Sequence, residues 1–240
     1  MVNKVRSFAV FDIDGTLIRW QLYHAVSDRL FKHGLIDQAT FDNIRGARAA
    51  WKRRESGASF KSYESEVIQA YEQALANISR PELLAAVDEV FDEYKDQVYV
   101  YTRDLIADLK KSGYLLFAIS GSQSEIIEKV ASHHGFDAFV GTEYEYRQGK
   151  YTGKKTFHAK RKDTALKKLV KQFKASWTKS IAVGDSQSDI AMLELVQKPI
   201  AFNPERELFE YARAKKWPIV IERKNVVYKL EAESGAYVLA

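Results

Sequence analysis

The chain has 240 residues, no cysteine and a formal charge of +5. Its 46% hydrophobic content supplies a sizeable core, and its 29% charged content is ordinary for a soluble protein. Disulfides, zinc–thiolate sites and thiol catalysis are excluded by composition. No apolar run reaches the roughly 20 residues a membrane helix needs. The polar start, Met1 to Arg6, leads straight into a strand and carries no signal-peptide pattern. A reducing, cytoplasmic setting is expected, with no membrane partner. The positive charge is compatible with nucleic acid or an anionic small substrate. Because the basic residues are spread along the chain, the small anionic substrate is the expected partner rather than nucleic acid.

In chain order, Ser7 to Phe11 (SFAVF) reads as a short buried strand. From Arg19 to Asp96 there is no convincing strand. Four helices are predicted there: Trp20–His33, Gln38–Arg54 with Asp37 as N-cap, Phe60–Ala76, and one starting at Ser79-Arg80-Pro81-Glu82. Ser79 and Glu82 have capping-box spacing, and Pro81 suits a first turn. This stretch holds 11 basic and 13 acidic residues, so the excess positive charge belongs to the remainder. Beyond it, helix Arg103–Lys111, strand Tyr114–Ile119 and helix Ser124–His133 follow, then a hairpin over Tyr144–Thr152 turning near Gln148-Gly149. Helix Lys162–Phe173, strand Ser180–Val183, helix Asp189–Leu195, strand Pro199–Phe202, helix Glu205–Lys215 and strand Pro218–Ile221 complete the pattern. The tail after Arg223 shows no clear period. Continuous apolar strands alternating with helices imply a parallel sheet covered on both faces. In such sheets ligands gather at the carboxyl ends of the strands, where Asp12, Ser120 and Asp185 all fall.

Chemistry concentrates at those ends. Asp12 and Asp14, in Asp-Ile-Asp-Gly-Thr, place two carboxylates around one turn, a setting that calls for a hard cation such as Mg²⁺. Taken alone, the run also fits an acidic surface turn. Asp185 ends a strand after Gly184, and Asp189 opens the next helix, where an acid also suits the helix dipole. Ser120-Gly121-Ser122 precedes a helix and is suited to a phosphate, or to plain N-capping. A lysine to neutralise phosphoryl oxygens has four candidates in the right stretch: Lys154, Lys155, Lys160 and Lys162.

Together these segments resemble the four ordered motifs of the haloacid dehalogenase superfamily, subfamily IB, the phosphoserine-phosphatase-like branch. Asp12-Ile13-Asp14-Gly15-Thr16 matches its D-x-D-G-T. Ser120-Gly121 matches its hydroxyl motif, Lys162 (or second Lys160) its lysine opening an amphipathic helix, and Gly184-Asp185-Ser186 with Asp189 its acidic motif. Asn203-Pro204 and Lys216-Trp217-Pro218 also resemble that branch. The resemblance implies a Rossmann-like α/β core, 1–18 and 97–240, with a helical-bundle cap of C1 type, 19–96, inserted after the first strand. It implies a phosphatase in which Asp12 is the nucleophile and Asp14 the general acid–base. Ser120, Gly121 and Lys162 would then hold the phosphoryl group. Mg²⁺ would sit at Asp12, the Asp14 carbonyl and Asp185, with Asp189 acting indirectly. Dehalogenases of the superfamily lack the second aspartate, so Asp14 favours ester hydrolysis.

The branch's serine phosphatases carry a glutamate nine residues after the nucleophile, where this chain has Gln21, and a cap arginine where it has Val67. A substrate other than phosphoserine is therefore expected, with Trp20, Gln21 and His24 as candidate specificity residues. A phosphotransferase using the same aspartyl-phosphate is the rival within this chemistry. A non-catalytic binding module that kept the fold is the rival outside it.

Overall fold

The computed structural model describes residues 5–56, 59–156, 161–233 and 236–239. In chain order it contains β1 (Ser7–Phe11), α1 (Leu22–Lys32), α2 (Gln38–Lys52), α3 (Ser59–Leu75), α4 (Arg80–Tyr94), α5 (Val100–Lys111), β2 (Leu115–Gln123), α6 (Ser124–His134), β3 (Ala138–Arg147) and β4 (Lys150–Thr156). It continues with α7 (Lys162–Phe173), β5 (Ser176–Gly184), α8 (Ile190–Leu193), β6 (Lys198–Phe202), α9 (Arg206–Lys215), β7 (Ile219–Arg223), β8 (Val226–Glu233) and β9 (Ala236–Leu239). By packing, the chain forms two units: Met1–Trp20 with Tyr94–Thr142 and Phe157–Ala240, and Gln21–Glu93 with Glu143–Thr156.

The first unit is an α/β layer whose strands lie in the order β3-β2-β1-β5-β6-β7-β8-β9. The pairs from β3 through β7 are parallel, and β7–β8 and β8–β9 are antiparallel. The central strands are apolar on both faces because both faces are covered. Phe8, Val10, Phe117, Ile119 and Ala182 join Leu166, Leu169, Met192 and Leu208 from the helices in one core. Phe8 stacks on Phe117 with ring centroids 5.7 Å apart. Each crossover returns the chain to the same end of the sheet. That topology brings the residues after β1, β2 and β5 together, although they lie far apart in sequence.

The second unit is built from α1–α4 and the hairpin of β3 and β4. Asp37 caps α2 by accepting from Thr40 N at 2.9 Å. Ser79 N donates to the Glu82 carboxylate at 2.8 Å, and Glu82 N reaches the Ser79 hydroxyl at 3.4 Å, the reciprocal bonds of a capping box. Inside the bundle Phe31 stacks on Phe41 at 3.5 Å and Trp51 on Tyr63 at 5.6 Å. The hairpin joins this unit through Tyr144, whose hydroxyl meets that of Tyr23 at 2.6 Å and donates to Glu72 at 3.3 Å. Lys155 forms an ion pair with the same Glu72. Gln148 and Gly149 at its tip have φ of 50° and 81°, the left-handed pair that a tight hairpin turn requires.

His24, on α1, is buried in this unit, edge-on to Tyr63 with centroids 4.6 Å apart. Burial, with Arg48 nearby, lowers its pKa to about 4. Unfolding returns His24 to an ordinary imidazole that binds a proton below about pH 6.5. Stability is therefore retained above that pH and lost as pH falls from about 6.5 to about 4, by roughly 3 kcal/mol in total. Urea melts across this range should show the slope. A His24→Gln variant should flatten it, and an unchanged slope in that variant would contradict the assignment.

Candidate active site

Phe11 ends β1, and Asp12 follows with its N–H donated to the Val183 carbonyl of β5 at 3.0 Å. The chain then turns tightly. Thr16 N donates to the Ile13 carbonyl at 3.3 Å, and Gly15 N to the Ile18 carbonyl at 3.0 Å. Gly15 has φ of 81°, and a Cβ placed on it would lie 2.2 Å from Asp185 Oδ2. Glycine is thus required twice here, for the left-handed backbone and for the approach of Asp185. Gly15→Ala should cost roughly 10²-fold in kcat/KM by displacing that carboxylate. A steady-state assay that finds wild-type turnover in this variant would refute the close approach.

The other side chains arrive from β2, from β3, from the segment after β5 and from the start of α7. Thr16 Oγ1 donates to Asp185 Oδ1 at 3.2 Å, tying the loop after β1 to the loop after β5. Ser120, near the end of β2, donates its hydroxyl to Asp14 Oδ2 at 2.6 Å and accepts from Ser122 N at 2.9 Å. Thr142 Oγ1 donates to the Gly121 carbonyl at 2.7 Å and steadies the same loop from β3. Lys162, the first residue of α7, is 1% exposed. Its Nζ donates to Asp12 Oδ1 and to Asp189 Oδ1, both at 2.6 Å. The second oxygen of Asp189 accepts from the backbone N–H groups of Asp185 at 3.1 Å and Ser186 at 2.9 Å. Gly184 makes that possible, since a Cβ there would lie 2.5 Å from Asp189 Cβ.

The structure therefore gathers Asp12, Asp14, Ser120, Lys162, Asp185 and Asp189 in one place. Of the four candidate lysines, Lys162 is in this cluster, Lys155 is paired with Glu72, Lys154 lies on the exposed β4, and Lys160 lies outside the described residues. Trp20 and Gln21 are half-buried on the segment before α1, and His24 is buried in the helical unit. Val67 is buried in α3. Thr142 has no signature in the sequence: a single threonine in a weakly patterned strand carries no local signal.

Four carboxyl groups and one ammonium share this buried space. Burial raises the Asp12 pKa to about 7, with Asp189 and Asp14 adding to the rise and the Lys162 ammonium opposing it. Burial and the neighbouring carboxylates likewise push Asp185 well above the usual range. For Lys162, burial acts downward but Asp12 and Asp189 outweigh it, so the amine stays charged. The site is short of positive charge. Ligand oxygens of Asp12, Asp185 and Asp189 all lie within 4.8 Å of one another. An all-oxygen set of crowded carboxylates fits a hard divalent cation, which would offset the same repulsion that raises these pKa values.

A parallel α/β layer with paired aspartates after its first strand, and a hydroxyl, a lysine and an acidic loop gathered beside them, has the chemical makeup of a phosphoryl-transfer site. The chain belongs to the haloacid dehalogenase-like hydrolase family, whose profile matches residues 9–194. It is similar to a histidinol-phosphatase of Neisseria meningitidis, with 27% identity over 231 residues, covering 90% of this chain and 99% of that protein. It is also 27% identical over 218 residues to phosphoserine phosphatase SerB1 of Mycobacterium tuberculosis, covering 88% and 69% of the two chains. Its fold matches a solved structure described as a phospho-aspartyl intermediate analogue of phosphoserine phosphatase. There the TM-score is 0.62 at 19% identity, with 92% and 96% of the chains covered. Within the family the chain is phosphoserine-phosphatase-like by its relatives and by its fold. Among the described residues, no helix is long and apolar enough to cross a membrane.

Proposed function

We propose that this protein is a Mg²⁺-dependent phosphatase that hydrolyses a small phosphorylated metabolite other than phosphoserine through an aspartyl-phosphate. One observation carries the reading: the Asp12 carboxylate is held at 2.6 Å by a buried lysine, while Ser120 holds Asp14 at 2.6 Å. The first aspartate is oriented by a cation, and the second by a hydroxyl. Two adjacent carboxyl groups in different settings are suited to two different tasks.

Asp12 attacks phosphorus through a carboxylate oxygen, and the bond to the leaving alcohol breaks. Asp14 gives its proton to that alcohol oxygen, then takes one from the water that attacks the aspartyl-phosphate. Lys162, Ser120 and the Gly121 loop hold the phosphoryl oxygens, so negative charge moves between fixed donors. Asp12, Asp185 and the Asp14 carbonyl would hold Mg²⁺, with Asp189 acting through Lys162. Bound there, the ion would supply positive charge to the phosphoryl oxygens and to the crowded carboxylates.

Two positions disfavour phosphoserine. Gln21 is uncharged where that branch has an acid for the substrate amine, and Val67 is a buried aliphatic side chain where it has an arginine. Each charge-assisted hydrogen bond contributes about 1.5–3 kcal/mol, so a small zwitterion would lose most of its affinity. The test is phosphate release from a panel of phosphomonoesters, p-nitrophenyl phosphate included, with Mg²⁺ and with a chelator. Release that needs the metal supports the reading; no release from any ester overturns it. Transfer to added alcohols in place of water would identify a phosphotransferase.

A further inference from the structure

We propose that Gln123 is a substrate-binding residue that reads a hydrogen-bonding group on the alcohol half of the phosphate ester; this rests on the phosphatase reading above. Gln123 is the last residue of β2 and the N-cap residue of the eleven-residue helix α6. It is fully buried, yet neither its Oε1 nor its Nε2 has a hydrogen-bond partner within the protein. Its side chain does not cap α6. The next hydroxyl, Ser124 Oγ, is buried and unpartnered as well.

The surrounding loop makes this pairing failure unusual. Ser120 Oγ is bonded on both sides, the Gly121 carbonyl is taken by Thr142, and Gln123 itself pairs in register with Thr142 across β2 and β3. The backbone that carries Gln123 is thus fixed from the phosphate-type serine onward, three residues away. A buried amide with both ends unsatisfied is costly to a folded protein, and it survives where a ligand completes it. An adaptable exposed residue would have no such requirement.

The chemistry of the amide indicates what that ligand presents. Phosphoryl oxygens only accept, and in the mechanism proposed above Lys162, Ser120 and the Gly121 loop are the donors for them. The Oε1 of Gln123 is an acceptor and would repel a phosphoryl oxygen. Both ends of the amide are satisfied together only by a group that donates and accepts, such as a hydroxyl, an amide or an imidazole. The inferred substrate class is an ester whose alcohol half carries such a group, read by a neutral residue instead of by charge.

The test compares wild type with Gln123→Leu on p-nitrophenyl phosphate, glycerol 3-phosphate, histidinol phosphate and phosphoserine. The readouts are kcat and KM for each ester, together with the melting temperature. Wild type should favour a polar ester over p-nitrophenyl phosphate. The variant should lose about tenfold or more in kcat/KM on that ester, mainly through KM. Its turnover of p-nitrophenyl phosphate should stay within roughly threefold of wild type. Its melting temperature should hold or rise, since leucine removes an unsatisfied amide. Equal losses on all esters, a lower melting temperature with unchanged selectivity, or a wild type with no polar preference would each overturn the proposal. Wild type that cleaves none of the esters would instead sink the phosphatase reading itself.

Discussion

Asp12→Asn should abolish turnover while leaving the fold intact. An amide is nearly isosteric with the carboxylate and still accepts a hydrogen bond from Lys162, whose Nζ keeps Asp189 at 2.6 Å. What it cannot do is attack phosphorus with a negative oxygen. Removing a covalent nucleophile costs roughly 10⁴-fold or more in kcat where other groups still bind the substrate. Circular dichroism and melting should match wild type, because one crowded negative charge has been removed from a site short of positive charge. Wild type quenched during turnover of a ³²P-labelled ester should retain alkali-labile label, and the variant none. A variant that keeps turnover within about tenfold of wild type would remove Asp12 from the mechanism.

Lys162→Met should destabilise the protein as well as inactivate it. Methionine fills a similar volume, so the effect isolates the charge. Lys162 is bonded to both Asp12 and Asp189, and it is 1% exposed. Removing one partner of a buried ion pair costs about 3–5 kcal/mol, because the remaining carboxylates are left uncompensated. For a chain of this size that is a fall of roughly 10 °C in Tm. Loss of a donor to the phosphoryl oxygens should lower kcat by about 10²- to 10³-fold in addition. The check is chemical denaturation with chelator present, beside a steady-state assay. Wild-type stability in the variant would mean that the two short bonds to Lys162 carry no net weight.

Much of the architecture was legible because it is written in local patterns. Apolar runs covered on both faces marked β1, β2, β5, β6 and β7. Ser79 and Glu82 announced the start of α4, and the structure shows their reciprocal bonds. Gln148-Gly149 announced the hairpin turn. Elements without such signatures are not legible in the sequence. The first half of β3, Ala138 to Thr142, is half-buried and weakly alternating, yet it pairs parallel with β2. The head of β5, Ser176 to Lys179, is polar and exposed. The antiparallel β8–β9 hairpin is mostly exposed and so lacks an apolar period. The expected helix from Asp189 instead begins with a 3₁₀ turn at Gln187–Asp189, because Asp189 is drawn back to the N–H groups of Asp185 and Ser186.

The candidate site divides the same way. The order of residues alone put Asp12, Ser120 and Asp185 at strand ends, since a parallel sheet with right-handed crossovers collects those ends on one side. Which side chains then meet is a long-range matter. Lys162 reaches Asp12 across 150 residues, Thr16 reaches Asp185 across 169, and Ser120 reaches Asp14 across 106. The choice of Lys162 over Lys155, the burial that raises Asp12 and Asp185, and the unpaired amide of Gln123 exist only once the elements are packed. Desolvation and hydrogen-bond satisfaction depend on neighbours from distant segments, whereas strand ends and turn residues depend on neighbours along the chain.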